Sequence, residues 1–305
     1  FSKSVKKILL LHVVFTLATL GWSCRNAPRE QTIVSCRLKV LVDETLLPVM
    51  EEEVEVFEHL YERAEVTLES GPEIQVINQL LSREVEVVVL TRALSEREME
   101  IFHSRRFTPW VHRIGTDGVA LVVGNQTADT VVTLDVLTSI MRGEEVAGPF
   151  DRLVFDNPNS STVRLLRSIA GVDSLPQRGV YALRSTFDVL KYVSENRGAI
   201  GAIGLSWIVR PDTTTKTYLS GLKVLGVRGK ANGLGSGVAV KPSQSDLADS
   251  LYALARPIYI INAEPRKSLG MGFAAFLTGD VGQRVLLKAG LMPDSVPPRE
   301  IIIRN

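Results

Sequence analysis

The chain has 305 residues, of which 45% are hydrophobic and 23% are charged, and its formal net charge at pH 7 is +1. This is an ordinary globular composition, long enough for two lobes with separate cores. The near-zero net charge does not indicate a nucleic-acid partner, which favours a strongly basic surface. The four His have no metal-ligand spacing, and two Cys are too few for a disulfide framework or a zinc site.

The first 24 residues have the pattern of a secretory signal peptide. Three lysines precede an apolar run at residues 8–20, which is too short to span a bilayer comfortably. Cys24 follows a small residue and resembles the lipidated Cys of the lipobox in bacterial lipoproteins, although Gly21 stands where Leu is usual. A plain secretory signal with an incidental Cys is the alternative. Residues 25–36 then form a polar tether, in which Cys36 is expected to be a small buried residue.

Strand and helix patterns alternate through residues 37–117. The apolar runs predict strands at 38–42, 64–68 and 85–90, and apolar residues three or four apart predict helices at 47–61 and 74–81. A capping box, Ser95 with Glu98, begins a short acidic helix. This alternation predicts right-handed crossovers and an α/β lobe with a mostly parallel sheet.

A second lobe is predicted at residues 118–254, and residues 255–305 are predicted to return to the first. The predicted strands lie at 119–123, 153–155, 198–204, 222–227, 237–240, 255–261 and 300–303. The predicted helices lie at 134–141, 162–170, 186–195, 268–277 and 281–289. The chain therefore has the order expected of two α/β lobes.

Hydroxyl-bearing residues follow three of these strands where a helix begins. They are Thr45, Thr91 with Arg92, and Ser160–Thr162 followed by Arg164. Helix N-termini and hydroxyls hold oxyanions, and open α/β sheets bind ligands at the carboxyl ends of their strands. Ordinary helix N-caps and solvated surface arginines are the alternative interpretation.

The chain resembles the phosphate-binding proteins of ABC-type phosphate uptake over nearly its whole mature length. The motifs that carry the resemblance are DET at 43–45, LTRALS at 90–95, GTDGVA at 115–120, SST at 160–162, GAIG at 198–201, RPIY at 256–259 and FLT at 276–278. The resemblance implies a two-lobed periplasmic-binding-protein fold of type II, each lobe a mostly parallel sheet flanked by helices. The predicted ligand-binding residues are Glu44, Thr45, Thr91, Arg92, Asp117, Ser160, Ser161, Thr162 and Arg164.

Two positions depart from that family. Ser161 stands where the family has Gly, and Asp156 with Asn157 stands where it often has Arg. Either Arg92 or Arg164 supplies the missing positive charge, or the ligand is not phosphate. A carboxylate such as Asp117 accepts a hydrogen bond from protonated phosphate but repels sulfate, which has no proton to donate.

The sequence thus predicts an exported lipoprotein on the periplasmic face of a bacterial membrane. We expect it to be a monomer without a cofactor that binds phosphate between its lobes and delivers it to an ABC transporter permease. A binding or sensory lipoprotein for another small anion, without a transporter, is the alternative. An enzyme is disfavoured because the sequence has no Gly-x-Ser-x-Gly elbow, metal-binding motif or plausible Cys–His pair.

Overall fold

The computed structural model describes residues 32–229, 233–235, 237–264 and 267–295. The predicted signal segment with Cys24, the tether up to residue 31 and the strand predicted at 300–303 lie outside the described residues. No helix within the described ranges is long and apolar enough to cross a membrane. Cys36 is a half-buried free cysteine at the start of the first strand.

The chain alternates strands and helices from residue 36 onwards. The strands are β1 (Cys36–Asp43), β2 (Ala64–Gly71), β3 (Val87–Leu90), β4 (Trp110–Gly124), β5 (Val131–Thr133), β6 (Arg152–Phe155), β7 (Val180–Ala182), β8 (Ala199–Gly204), β9 (Leu222–Val224), β10 (Gly226–Arg228), β11 (Ala255–Asn262) and β12 (Met292–Pro293). The helices are α1 (Leu47–Leu60), α2 (Glu73–Ser82), α3 (Glu96–Ser104), α4 (Leu134–Met141), α5 (Ser161–Ala170), α6 (Thr186–Glu195), α7 (Ser206–Val209), α8 (Thr213–Leu219), α9 (Gln244–Ala248), α10 (Leu269–Thr278) and α11 (Asp280–Lys288). A 3₁₀ turn, Glu44–Leu46, connects β1 to α1.

The large sheet has the strand order β2-β1-β3-β11-β4-β8-β6-β7, and β9 and β12 also pair with β4. Strand β1 is parallel to β2 and β3, and β6 is parallel to β7 and β8. Strand β11 is antiparallel to β3 and β4, and β4 is antiparallel to β8. The predicted two-lobed α/β fold is confirmed: the strands of each lobe are mostly parallel, and every antiparallel pair among the described strands involves β4 or β11. The antiparallel pairs arise because β4 leaves the first lobe in the direction opposite to the returning β11.

Strand β4 runs through both lobes. Its residues up to Gly118 pair with β11, whereas Val119–Val122 pair with β8 in the second lobe. The Tyr252 hydroxyl donates to the carbonyl oxygen of Val119 at 2.6 Å, at the point where β4 changes partner. Only residues 119–123 were expected to be a strand, because the preceding residues lack an apolar alternation. The strand predicted at 237–240 is wrong: Val240 makes a single isolated bridge.

Helix α1 packs on the C-terminal helices of the first lobe through an aromatic cluster. Phe57 is fully buried, and its ring centroid lies 5.1 Å from that of Phe273 and 5.2 Å from that of Phe276. Aromatic pairs at this separation add to the free energy of burying their area. This contact joins a helix from the start of the chain to one from its end, so both segments belong to the same lobe.

We predict that Phe57→Ala lowers the free energy of unfolding by about 3–5 kcal/mol, because it leaves a cavity in this cluster. Leu60→Ala on the same helix is the matched control, since Leu60 is 50% exposed. Chemical denaturation of both variants measures the difference. Equal losses in the two variants would contradict the central place of Phe57 in the core.

Candidate functional site

The first junction of strand and helix places Thr45 in the interior. Asp43 ends β1 and its Oδ1 accepts hydrogen bonds from the Thr45 backbone N at 3.0 Å and from the Thr45 hydroxyl at 2.6 Å. An Asp side chain that caps a helical turn satisfies amide groups that have no partner inside the turn. Both side chains are buried, so this hydroxyl and carboxylate stand in the interior rather than at a solvated helix end.

The second junction, between β6 and α5, buries three consecutive hydroxyls. Ser160 is the N-cap of α5 and accepts from the Val163 backbone N at 3.4 Å. The Ser160 and Thr162 hydroxyl oxygens lie 2.8 Å apart, and Thr162 donates to Asp156 Oδ1 at 3.0 Å. The first backbone N–H groups of α5 and the positive end of its helix dipole lie at the same end of the helix as these hydroxyls, as at the start of any helix.

Arg256 connects these two junctions. Its Nε and Nη2 donate to Asp117 Oδ2 at 3.0 and 2.7 Å, and Nη1 donates to the Ser161 hydroxyl at 2.7 Å. Nη2 also donates to the Thr45 hydroxyl at 2.6 Å. Arg256 is 2% exposed and Asp117 is fully buried. One guanidinium therefore holds together the turn after β1, the crossing strand β4 and the start of α5 in the second lobe.

Arg256 stays positively charged although it is buried. Burial by itself lowers the pKa of the guanidinium, but the negative charges of Asp117 and Asp43 outweigh it, and the pKa lies above the ordinary value for arginine. Burial raises the pKa of Asp117, and the charge and hydrogen bonds of Arg256 oppose that shift. The pair is thus a buried ion pair in which two nitrogens of the guanidinium donate to one oxygen of the carboxylate.

A second polar cluster surrounds Glu73, at the start of α2. Arg92 Nε and Arg164 Nε donate to Glu73 Oε1 at 3.1 and 2.7 Å, and the Thr91 hydroxyl donates to Oε2 at 3.3 Å. Arg92 also donates twice to Glu98 at 2.7 Å, which makes the predicted capping box part of this cluster. The cluster joins the lobes because Arg164 lies on α5 and Glu73 on α2.

Glu44 and Thr45 contact the second lobe directly. Glu44 Oε1 accepts from the backbone N of Thr186 at 3.0 Å, and the Glu44 carbonyl oxygen accepts from Trp207 Nε1 at 3.1 Å. The Thr45 carbonyl oxygen accepts from the Ser206 hydroxyl at 3.0 Å. Gly204 lies so near this carbonyl that a Cβ atom would collide with it. The backbone of the first lobe and a glycine of the second thus meet in direct contact.

Several buried polar atoms at the site have no hydrogen-bond partner in the described part of the chain. They are Asp43 Oδ2, Asp117 Oδ1, Asp156 Oδ2 and the Thr186 hydroxyl. Burial raises the pKa of Asp156 to about 6, with a further contribution from the charge of Asp43. Among the described residues, no group of His, Cys, Asp and Glu side chains has the geometry to hold a metal ion. These atoms are available to a ligand that donates hydrogen bonds.

Eight of the nine predicted site residues belong to two clusters, and the ninth, Glu44, makes a separate contact with the second lobe. Thr45, Asp117, Ser160, Ser161 and Thr162 meet around Arg256 and Asp156. Thr91, Arg92 and Arg164 surround Glu73 instead, and Glu44 contacts the start of α6. Sequence reasoning did not include Arg256 in the site. The signal was present, because an Arg inside an apolar strand must be buried and paired.

A family model described as the PBP superfamily domain matches residues 26–281. The chain belongs to this superfamily. No curated protein sequence is detectably similar to the chain. The predicted likeness to phosphate-binding proteins is confirmed at the level of the fold by solved structures.

Two of these structures come from phosphate uptake systems. One is described as a phosphate ABC transporter substrate-binding protein with bound phosphate from Clostridium perfringens: TM-score 0.68, 18% identity, 85% of this chain and 100% of that chain covered. The other is an ABC-type phosphate transport receptor from Vibrio cholerae: TM-score 0.61, 17% identity, 84% and 99% covered. The OxyR2 regulatory domain of Vibrio vulnificus also shares the fold, with TM-score 0.53, 12% identity, and 81% and 96% covered. At these identities the likeness is one of fold.

We predict that Arg256→Met lowers the free energy of unfolding by about 3–5 kcal/mol, because it leaves the carboxylate of Asp117 buried without its counter-ion. Adding Asp117→Asn to this variant restores part of the loss. Arg178→Met is the matched control, since Arg178 and its partner Glu145 are both exposed. Chemical denaturation distinguishes the variants. A single variant as stable as the control would refute the role of the ion pair.

We also predict that Gly204→Ala pushes the two lobes apart, because its new methyl group collides with the Thr45 carbonyl. Small-angle X-ray scattering should give a larger radius of gyration than for the unsubstituted protein. Gly221→Ala is the control, since a Cβ there meets only one atom at an ordinary contact distance of 3.5 Å. Identical scattering from all three proteins would mean that the contact between Gly204 and Thr45 does not limit closure.

Proposed function

We propose that this protein is an extracytoplasmic solute-binding protein that binds phosphate or a similar oxyanion between its lobes and delivers it to an ABC transporter. The observation that carries the proposal is the buried guanidinium of Arg256, in contact with the hydroxyls of Thr45 and Ser161 beside the start of α5. Membership of a solute-binding superfamily supports the same conclusion.

The hydrogen-bond directions support an anion as the ligand. A hydroxyl oxygen that accepts from a guanidinium keeps its own hydrogen for another acceptor. The Thr45 hydroxyl gives its hydrogen to Asp43. Ser161 accepts from Arg256 and keeps its hydroxyl hydrogen for a ligand. This hydroxyl and the first amides of α5 form a set of donors that suits an oxyanion.

The carboxylates favour phosphate within the class of oxyanions. Asp117 Oδ1 is buried, and no hydrogen bond to it occurs within the described ranges. Such an oxygen accepts a hydrogen bond from protonated phosphate, whereas sulfate at neutral pH has no hydrogen to offer. The proposal therefore includes selection of phosphate over sulfate at this position.

Attachment to the membrane is a proposal that rests on the sequence alone. We propose that Cys24 carries lipid, that residues 25–36 tether the protein, and that it works as a monomer. The division into lobes at residues 37–117, 118–254 and 255–305 is proposed on the same basis. Mass spectrometry of the protein extracted from membranes tests the lipid, because acylation adds a defined mass to the peptide that contains Cys24.

A sensory protein of the same fold, without a transporter, is the second candidate. The likeness to the OxyR2 regulatory domain favours it, because that protein is a regulator rather than a transport receptor. Dependence of phosphate uptake on this protein in cells with and without the permease would separate the two functions.

We predict that phosphate binds the mature domain in calorimetric titration and that the double variant Ser161→Ala, Thr162→Val weakens binding at least tenfold. The hydrogen bond from Ser161 to the charged ligand contributes about 1.5–3 kcal/mol, which is a tenfold change or more. Loss of the Thr162 hydroxyl adds to the effect because it leaves Asp156 Oδ1 without its donor. Both substitutions leave the N-cap Ser160 in place, so α5 keeps its cap.

Ser168→Ala is the matched control for this double variant, because Ser168 lies on the same helix and is exposed. The control should bind phosphate as tightly as the unsubstituted protein. Unchanged affinity in the double variant would remove the start of α5 from the site. Equal affinity for sulfate and phosphate at neutral pH would remove the selection assigned to Asp117.

A further inference from the structure

Acidic groups outnumber basic groups in direct contact with the proposed anion site. Asp43, Asp117 and Asp156 are all buried there, and Arg256 is bonded to Asp117. Among the contacts that the structure describes, Arg256 makes no hydrogen bond to Asp156 or to either oxygen of Asp43. The site therefore presents two carboxyl groups that accept no hydrogen bond from a described cationic side chain, one from each lobe. Asp43 interacts with Arg256 only through its charge, and Asp156 has no described cation bonded to it.

The other charged groups nearby do not remove this imbalance. Arg92 and Arg164 are bonded to Glu73, and Arg92 also to Glu98. Glu44, from the turn after β1, adds a further negative charge near Asp43 and Asp156. Asp188, on α6, lies near Glu44 and adds to the negative charge. The turn after β1, strand β4, the end of β6 and the start of α6 thus each bring an acid, and Arg92, Arg164 and Arg256 are already paired with acids.

Asp43 and Asp156 share two features of their hydrogen bonding, although Asp43 Oδ1 also accepts from the Thr45 backbone N. In each carboxyl group, Oδ1 accepts from a threonine hydroxyl, that of Thr45 or Thr162. In each, Oδ2 is buried and has no partner in the described residues. Two such carboxylates and an oxyanion cannot all stay fully charged in a desolvated space, because like charges repel strongly there. A proton on one carboxyl group converts the repulsion into a hydrogen bond.

We propose that Asp156, close to the charge of Asp43, takes up one proton from solvent when the site binds its oxyanion, so that the protein binds an anion together with a proton. The inference rests on the proposed function and deepens it. The proton comes from water and resides on Asp156, whose protonated oxygen donates a hydrogen bond to the anion. Because burial and Asp43 raise the pKa of Asp156 to about 6, uptake occurs above pH 6 and vanishes at lower pH, where Asp156 is already protonated.

Asp156→Asn tests the proposal because it removes the charge and keeps the Oδ1 acceptor for Thr162. Phosphate binding is measured by calorimetry from pH 5.5 to pH 8 in buffers of different ionisation enthalpy, which gives the number of protons taken up. Phosphate titrates in the same range in all variants, so the difference between variants isolates the protein's own proton. We expect the unsubstituted protein to take up about one more proton than Asp156→Asn at pH 7.5. We expect the variant to bind phosphate at least tenfold more tightly at pH 8 and with similar affinity at pH 5.5.

Asp129→Asn is the matched control, since Asp129 is an exposed aspartate of the second lobe. It should keep both the affinity and the proton uptake of the unsubstituted protein. Glu44→Gln tests Glu44 as the alternative acceptor of the proton, because burial raises the pKa of Glu44 to about 7. Loss of the extra proton in Glu44→Gln and its retention in Asp156→Asn would overturn the assignment to Asp156.

The remaining outcomes separate this inference from the proposed function. Phosphate binding that is weaker in Asp156→Asn at pH 8, or equal proton uptake in both proteins, would overturn the inference and leave phosphate binding intact. Failure of both proteins to bind phosphate at any pH would overturn the proposed function. Spermidine binding that disappears in Asp156→Asn would show that the carboxyl groups serve a cation, and would overturn both.

Discussion

The buried ion pair of Arg256 and Asp117 is the interaction on which the two lobes depend. A guanidinium that is 2% exposed is stable only when its donors have partners, and here those partners come from three separate segments. Asp117 lies on the strand that leaves the first lobe, Arg256 lies on the strand that returns, and Ser161 begins a helix of the second lobe. The same contacts that neutralise one buried charge therefore bring the two lobes together over the hydroxyls of the site.

This arrangement explains why so much of the contact between lobes is polar. The carbonyl groups of Glu44 and Thr45 accept hydrogen bonds from Trp207 and Ser206, and Glu73 accepts from Arg164. Polar contacts of this kind form and break with water more readily than an apolar interface. Gly204 belongs to the same interface, because the absence of a side chain there allows the backbones of the two lobes to approach closely.

Much of the fold could be predicted from the sequence because its signals are local. Apolar runs such as 85–90 indicated the buried strands, and the spacing of apolar residues indicated the helices. The polar first half of β4 and the antiparallel return of β11 could not be predicted in this way. Their pairing depends on contacts between residues more than a hundred positions apart, such as Asp117 with Arg256. The hydroxyls of the site could also be identified from a local pattern, because Ser160 is the N-cap at the start of a predicted helix.

The positive charge of the site could not be located from local patterns. Its location determines which carboxyl groups at the site are paired with a cation. The resemblance led us to expect a cation near the junction of β6 and α5, where the chain has Asp156. The cation reaches Ser161 from β11 instead, and it brings Asp117 with it as a partner. Moving the cation in this way leaves an acid at residue 156 opposite the acid at residue 43. The proposed uptake of a proton reconciles phosphate binding with this excess of buried acid, since a proton is the one cation that needs no additional space.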